Sequence, residues 1–173
     1  MKKVHKFIKG KCNERNLWTH FPKDPNSPIC SQCKRDRAQC RQKRHAAHDD
    51  LPAQKKFADA ITCDHNILNE NNASRSSDRL AMVVLDRFTQ WLQGYPSKTK
   101  TADECDIYLE EFVGPQCEPQ HVYSDNSKEF IKALRDLKWR HDTSTPHRSE
   151  TNGVAERAVR QVKEGTACTL VRL

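Results

Sequence analysis

The stretch HVYSDNSKEF, residues 121–130, is followed at residues 143–165 by TSTPHRSETNGVAERAVRQVKEG. The first segment is typical of a short strand of β-branched and aromatic residues that ends in a carboxylate, Asp125, just before a turn. The second segment predicts a polar loop that becomes an amphipathic helix, with Glu156 close to the helix start. With Asp64 farther upstream, these side chains supply three carboxylates, the oxygen ligands with which proteins hold divalent metal for phosphodiester chemistry.

Basic residues are concentrated in the first third of the chain. The 173 residues carry a formal net charge of +7, and 35% of them are hydrophobic and 31% charged. From Met1 to Lys56 there are fifteen Lys and Arg against five Asp and Glu, whereas acidic residues slightly outnumber basic ones in the remainder. Phosphate backbones attract such an excess of cations, so the first third is the candidate nucleic-acid contact; a solvated charged tail is the alternative.

The apolar residues indicate neither a membrane protein nor a secreted one. No apolar run approaches the roughly 20 residues of a membrane span, and the first residues, MKKVHKFIKGK, lack the apolar centre of a signal peptide. The eight cysteines are therefore expected to be reduced thiols rather than a disulfide framework. No membrane partner is expected.

A small metal-binding module is predicted over residues 1–44. His20 precedes a CxxC pair formed by Cys30 and Cys33. Nitrogen and thiolate ligands suit a tetrahedral zinc ion, which a segment too short and polar to build a core would need in order to fold. The alternative is a degenerate zinc-finger-like module that no longer binds metal. The candidate ligands are His20, Cys30, Cys33 and Cys40, with Cys12 or His5 as other possible fourth ligands.

A basic strip and a linker are predicted to follow the CxxC pair. Six basic residues and one acid lie between Lys34 and Arg44, which is typical of a phosphate-contacting strip or of a linker. Residues 45–56 have mixed charges, a proline and no apolar periodicity, so they are the predicted linker. The expected organisation is therefore a module over 1–44, a linker over 45–56 and a core over 57–173.

The predicted core combines strands and helices in the manner of an α/β fold. FADAITCDHNIL, residues 57–68, predicts a strand with Asp64 and Cys63 on opposite faces. Residues 80–98 form a near-continuous apolar run that is broken at Asp86 and Gly94, which predicts two strands of a hairpin, one of them central in a sheet. With the later segments, the predicted order is three strands, helix, strand, helix, strand, helix, which describes helices packed on a mixed sheet.

Three amphipathic helices are expected in this core. The first begins at a capping Thr101 and ends at Gly114, and the second covers residues 127–138. On the last helix, Glu156, Arg160 and Lys163 line up at i, i+4 and i+7, so metal and phosphate could be held side by side; a surface salt bridge is the alternative. The apolar stripes are predicted at Ala102, Cys105, Ile107, Leu109 and Phe112 on the first helix, and at Ala155, Val159, Val162 and Thr166 on the last.

Asp64 on the first core strand, the segment SDNSKEF and the segment PHRSETNGVAERAVRQVK together resemble the catalytic core of retroelement integrases, and NGVAER is most similar to copia-type LTR retrotransposons. The resemblance covers residues 57–173 and implies a ribonuclease-H-like fold. It implies a triad of Asp64, Asp125 and Glu156 that binds two magnesium or manganese ions. Asp59 competes with Asp64 for the first position, but Asp64 stands at the end of the apolar strand.

The same resemblance extends to the module and to DNA contacts. Residues 1–44 are similar to the zinc-binding N-terminal domain of these enzymes, although Arg15 and Asn16 stand where a further histidine is usual. The distance along the chain from Asp125 to Glu156 is also shorter than in retroviral enzymes. Since no C-terminal DNA-binding domain follows Leu173, a fragment is expected. The implied DNA-contacting residues are His147, Arg148, Asn152, Arg160 and Lys163.

The implied reaction is trimming of a donor DNA 3′ end, followed by joining of that end to target DNA. DNA would be the partner of a homo-oligomer that acts in the nucleus and that could be assembled first in cytoplasmic particles. A catalytically inactive nucleic-acid-binding remnant of such an element is the alternative. A third hypothesis is a ribonuclease or another transposase with the same fold, because a fold alone does not determine a function.

Overall fold

The computed structural model describes residues 20, 23–24, 26–34, 54–68, 74, 76–143 and 153–172. The chain divides into two compact units, one formed by Met1–Gln42 with Gln161–Leu173 and the other by Lys43–Arg160. The predicted module end at residue 44 falls outside the described residues, and the predicted domain bounds stay predictions. In the described ranges, no helix combines the length and the apolar character needed to span a membrane.

A five-stranded mixed sheet organises the larger unit. Its order is β3-β2-β1-β4-β5; the β1–β2 and β2–β3 pairs are antiparallel, while β4 runs parallel to both β1 and β5. The mixed sheet with helices packed on it confirms the predicted α/β fold class. The strands are β1 (Ile61–Ile67), β2 (Leu80–Asp86), β3 (Leu92–Ser97), β4 (Val122–Ser124) and β5 (His141–Thr143).

Four helices complete the described residues. A short α1 covers Pro28–Cys33, α2 covers Ala102–Val113, α3 covers Lys128–Asp136 and α4 covers Gly153–Arg172. From β1 onward the element order is the predicted one. Thr101 caps α2 as predicted, since its Oγ1 accepts a hydrogen bond from the Glu104 amide at 3.3 Å.

The apolar core lies between one face of the sheet and helices α2 and α3. Cys63 of β1 and Val84 of β2 belong to this core and are opposite each other in the sheet register. Because side chains alternate between the faces of a strand, Thr62 and Asp64 lie on the other face. The alternation predicted for β1 therefore places Asp64 away from the core.

Three details of the predicted pattern are wrong. Gly94 does not break a strand, because it pairs with Val83 inside the β2–β3 ladder. Ile107 is 59% exposed, since α2 turns it away from the sheet. On α4, Ala158 is buried together with Ala155, whereas Thr166 is exposed and donates its hydroxyl to the Val162 carbonyl at 2.9 Å.

Candidate carboxylate site and thiol cluster

The parallel pairing of β1 and β4 brings Asp64 and Asp125 to the same level of the sheet. In the register of these strands, Thr62 lies opposite Tyr123. Extended two residues beyond this last pair, the register brings Asp64 of β1 level with Asp125, the residue that directly follows β4. Asp125 starts a turn, with its Oδ1 accepting a hydrogen bond from the Ser127 amide at 3.2 Å.

The pKa of the Asp64 carboxyl is raised to about 6, first by burial and in addition by the negative charges of Asp125 and Glu156. The His65 amide, which donates to Asp64 Oδ1 at 2.8 Å, acts in the opposite direction, as does the charge of Lys100. Asp125 and Glu156 therefore both lie within electrostatic reach of Asp64. They come from β1, from the residue after β4 and from the first turn of α4.

The donor chemistry of these residues suits a hard divalent cation, because all three offer carboxylate oxygens. In the part of the chain that the structure describes, however, no three His, Cys, Asp or Glu side chains form a ready coordination group. The carboxylates can influence the pKa of Asp64 without forming a coordination group, because charges interact over longer distances than the roughly 2.0–2.6 Å of a metal–oxygen bond. A cation would relieve the mutual repulsion that raises the pKa of Asp64.

Asp59, the competitor for the first position, has a local structural partner. Its Oδ2 accepts hydrogen bonds from the backbone amides of Lys55 at 2.7 Å and Lys56 at 3.0 Å. This carboxylate therefore stabilises the turn that precedes β1.

Two neighbours of Asp64 were not singled out from the sequence. Asn66 is only 5% exposed and lies on the same strand face as Asp64, and its Oδ1 has no hydrogen-bond partner among the described residues. Strand alternation would have indicated Asn66. Lys100, from the loop between β3 and α2, is the other neighbour, and no local pattern distinguishes it from the surrounding lysines.

The smaller unit contains a cluster of thiols and an imidazole. The Nδ1 of His20 lies 3.6 Å from the Sγ of Cys30, and both residues are buried. Cys168, to which the sequence assigns no role, is also buried and hydrogen-bonds to Cys33. Burial is the main cause that raises the pKa of the Cys168 thiol, followed by Cys33. Cys33 and Cys168 are far apart in the sequence, so the spacing of cysteines along the chain could not have predicted their contact.

The predicted DNA-contacting residues fall into two groups. Arg160 and Lys163 are exposed on α4, as a DNA contact requires. The remaining three, His147, Arg148 and Asn152, lie outside the described residues, as does the predicted zinc ligand Cys40.

No protein-family model matches the chain. Over 103 residues it is 28% identical to the Gag-Pol polyproteins of woolly monkey sarcoma virus and koala retrovirus, a match that covers 55% of this chain. Among solved structures, it is similar to the catalytic core domain of BIV integrase, with a TM-score of 0.45 and 18% identity over 61% of this chain and 67% of that one. A simian T-cell lymphotropic virus intasome gives a TM-score of 0.40 and 23% identity over 61% of this chain and 41% of that one. The chain is thus similar to retroviral Gag-Pol polyproteins over about half its length and spans 6% of theirs.

Proposed function

We propose that this chain is an integrase-type polynucleotidyl transferase that uses divalent metal to trim and join DNA 3′ ends. The observation that carries the proposal is the action of the Asp125 and Glu156 charges on the half-buried carboxyl of Asp64. The similarity to retroviral Gag-Pol polyproteins supports the same reaction class.

Asp64, Asp125 and Glu156 would hold two magnesium or manganese ions. When bound, such ions stabilise the charge on the entering and leaving oxygens of a phosphodiester exchange. In the first step, water attacks near the donor end and releases a 3′ hydroxyl. In the second step, that hydroxyl attacks a target phosphodiester, and a target 3′ hydroxyl leaves. Each step exchanges one phosphorus–oxygen bond for another, so no covalent protein intermediate is required.

The test is an end-processing assay on a labelled DNA duplex. The unmodified chain is expected to nick or join the labelled end in Mg²⁺ or Mn²⁺, to lose this activity in EDTA and to regain it when metal is restored. Activity that persists in EDTA would contradict the proposed chemistry. A chain that binds the duplex without altering it would instead be the inactive remnant, an interpretation favoured by Arg15 and Asn16 at positions where a zinc-binding histidine is usual.

The proposal extends to partners and cellular location. Arg160 and Lys163, exposed on α4, would contact DNA phosphates together with His147, Arg148 and Asn152. Joining one end to a target also calls for a homo-oligomer, since donor and target DNA must be held together. Integration takes place in the nucleus, after assembly in cytoplasmic particles, and the proposed source is a copia-type element.

The smaller unit is proposed to bind zinc through His20, Cys30 and Cys33. The 3.6 Å between His20 Nδ1 and Cys30 Sγ brings one nitrogen and one sulfur ligand together. Since the described side chains do not form a complete coordination group, zinc would have to draw Cys33 and a fourth ligand, Cys40 or Cys168, onto this pair.

We expect about one zinc per chain by elemental analysis, and loss of the zinc when Cys30 and Cys33 are both changed to Ser. The Cys168→Ser and Cys40→Ser variants distinguish the two fourth ligands. Cys117→Ser, outside the module, is the matched control. Absence of zinc from the unmodified chain would exclude the site.

A further inference from the structure

The loop that joins β3 to α2 is held in place on both sides of Lys100. The hydroxyls of Thr99 and Thr101 donate to the same oxygen of Glu104, at 2.9 Å and 3.2 Å. The Ser97 hydroxyl donates to the Thr99 carbonyl at 2.6 Å. These bonds hold the backbone on both sides of Lys100, so the fold determines where its side chain begins.

The ammonium of Lys100 connects this loop to the element that follows Asp125. Its Nζ lies 3.7 Å from Oε2 of Glu129, in the first turn of α3. The side chains of Lys100 and Glu129 are 27% and 32% exposed, so a ligand arriving from solvent can reach both. An ion pair this accessible contributes little stability and can be exchanged for another partner.

The charge of Lys100 also acts on the carboxylate site. Glu129, the partner of Lys100, is next to Phe130, whose ring stacks on the ring of His65 at 4.3 Å between centroids. His65 directly follows Asp64, so the ammonium lies beside the strand that carries this carboxylate. Three carboxylates repel the phosphates of nucleic acid, so a cation fixed beside them offsets part of that repulsion.

We propose that Lys100 binds a backbone phosphate of the nucleic acid and positions it at the carboxylate site, giving up Glu129 for a phosphate oxygen. A charge-assisted bond from the ammonium to a phosphate is stronger than the 3.7 Å ion pair that it replaces. The inference rests on the proposed function for the identity of the ligand. The contact between Lys100 and a phosphate would not depend on the DNA sequence, because the phosphate group is the same at every base pair.

The test is binding of a fluorescent DNA duplex by the full chain, measured as anisotropy in EDTA so that no cleavage takes place. Lys100→Ala is expected to weaken binding roughly five- to tenfold and to reduce the slope of log affinity against log salt by about one. Lys100→Gln, which keeps a polar side chain, should behave the same way, whereas Lys100→Arg should retain binding. Glu129→Gln should strengthen binding, because it releases the ammonium from its competitor.

Lys132→Ala is the matched control, because Lys132 also pairs with a carboxylate, Asp103 at 3.6 Å, but on the exposed surface of α3. If Lys100→Ala and Lys132→Ala leave affinity and salt slope equally unchanged, the proposal is overturned. If the unmodified chain binds no DNA, both this inference and the proposed function fall. If it binds DNA through Lys100 but never cleaves it, the inference stands and the proposed catalysis fails.

Discussion

Changing Asp125 to Asn or Glu156 to Gln is expected to reduce DNA-end processing in Mg²⁺ by about a hundredfold or more. Each substitution keeps the size of the side chain and removes the charge that a divalent cation needs. Since the two residues come from separate elements but act on the same Asp64 carboxyl, either change should have nearly the full effect. Combining them should add little, as expected of residues that act as a unit.

A second readout of the same variants does not depend on activity. The charges of Asp125 and Glu156 disfavour the ionised form of Asp64, so removing either charge favours ionisation and lowers the pKa of Asp64 from about 6 toward its ordinary value of 3.8. The decrease should be partial, because burial is the larger cause. A pH titration of the Asp64 carboxyl by NMR measures this change.

Asp103→Asn is the matched control for both readouts. Asp103 lies in the first turn of α2 with its side chain 85% exposed, and its carboxylate pairs with Lys132. Neither end processing nor the pKa of Asp64 should change in this variant. Full activity in Asp125→Asn or Glu156→Gln would remove the enzymatic role of the triad, and an unchanged pKa of Asp64 would show that the carboxylates do not share a site.

Sequence patterns predict those features of the fold that depend on residues close together in the chain. The alternation of β1 predicts Asp64 and Cys63 on opposite faces, and the residue type of Thr101 predicts the α2 cap that the structure contains. The strand that ends at Asp125 could be predicted because a turn residue follows it directly. The triad as a group came from the resemblance to integrases, and its catalytic role stays a prediction.

Sequence patterns do not predict contacts between residues that are far apart in the chain. Lys100 resembles its neighbour Lys98 in sequence, and only the fold brings it near Asp64. Cys168 meets Cys33 across most of the chain length. Asp86 was interpreted only as an interruption of an apolar run, whereas the structure makes it a fully buried hydrogen-bond acceptor.

Asp86→Ala is expected to lower the free energy of unfolding of the larger unit by about 3–5 kcal/mol. Asp86 is 0% exposed at the end of β2, and its Oδ1 accepts from the Ala58 amide at 2.9 Å. Its Oδ2 accepts from the amide and the hydroxyl of Thr89, at 2.7 Å and 2.6 Å. Alanine would leave these buried donors without an acceptor and open a cavity beside them.

The effect should also reach the carboxylate site, because Asp86 ties the β2–β3 turn to the residues that lead into β1. Ala58 has a φ of 65°, and the hydrogen bond to Asp86 helps to hold this backbone conformation. Asp86 is also the register partner of Ile61, the first residue of the strand that carries Asp64.

Urea unfolding monitored by tryptophan fluorescence measures the loss of stability in Asp86→Ala. The exposed Asp103→Ala is the control and is expected to change stability by less than about 0.5 kcal/mol. A loss below about 1 kcal/mol in Asp86→Ala would mean that water satisfies the Ala58 and Thr89 donors, and that this carboxylate does not fix the entry to β1.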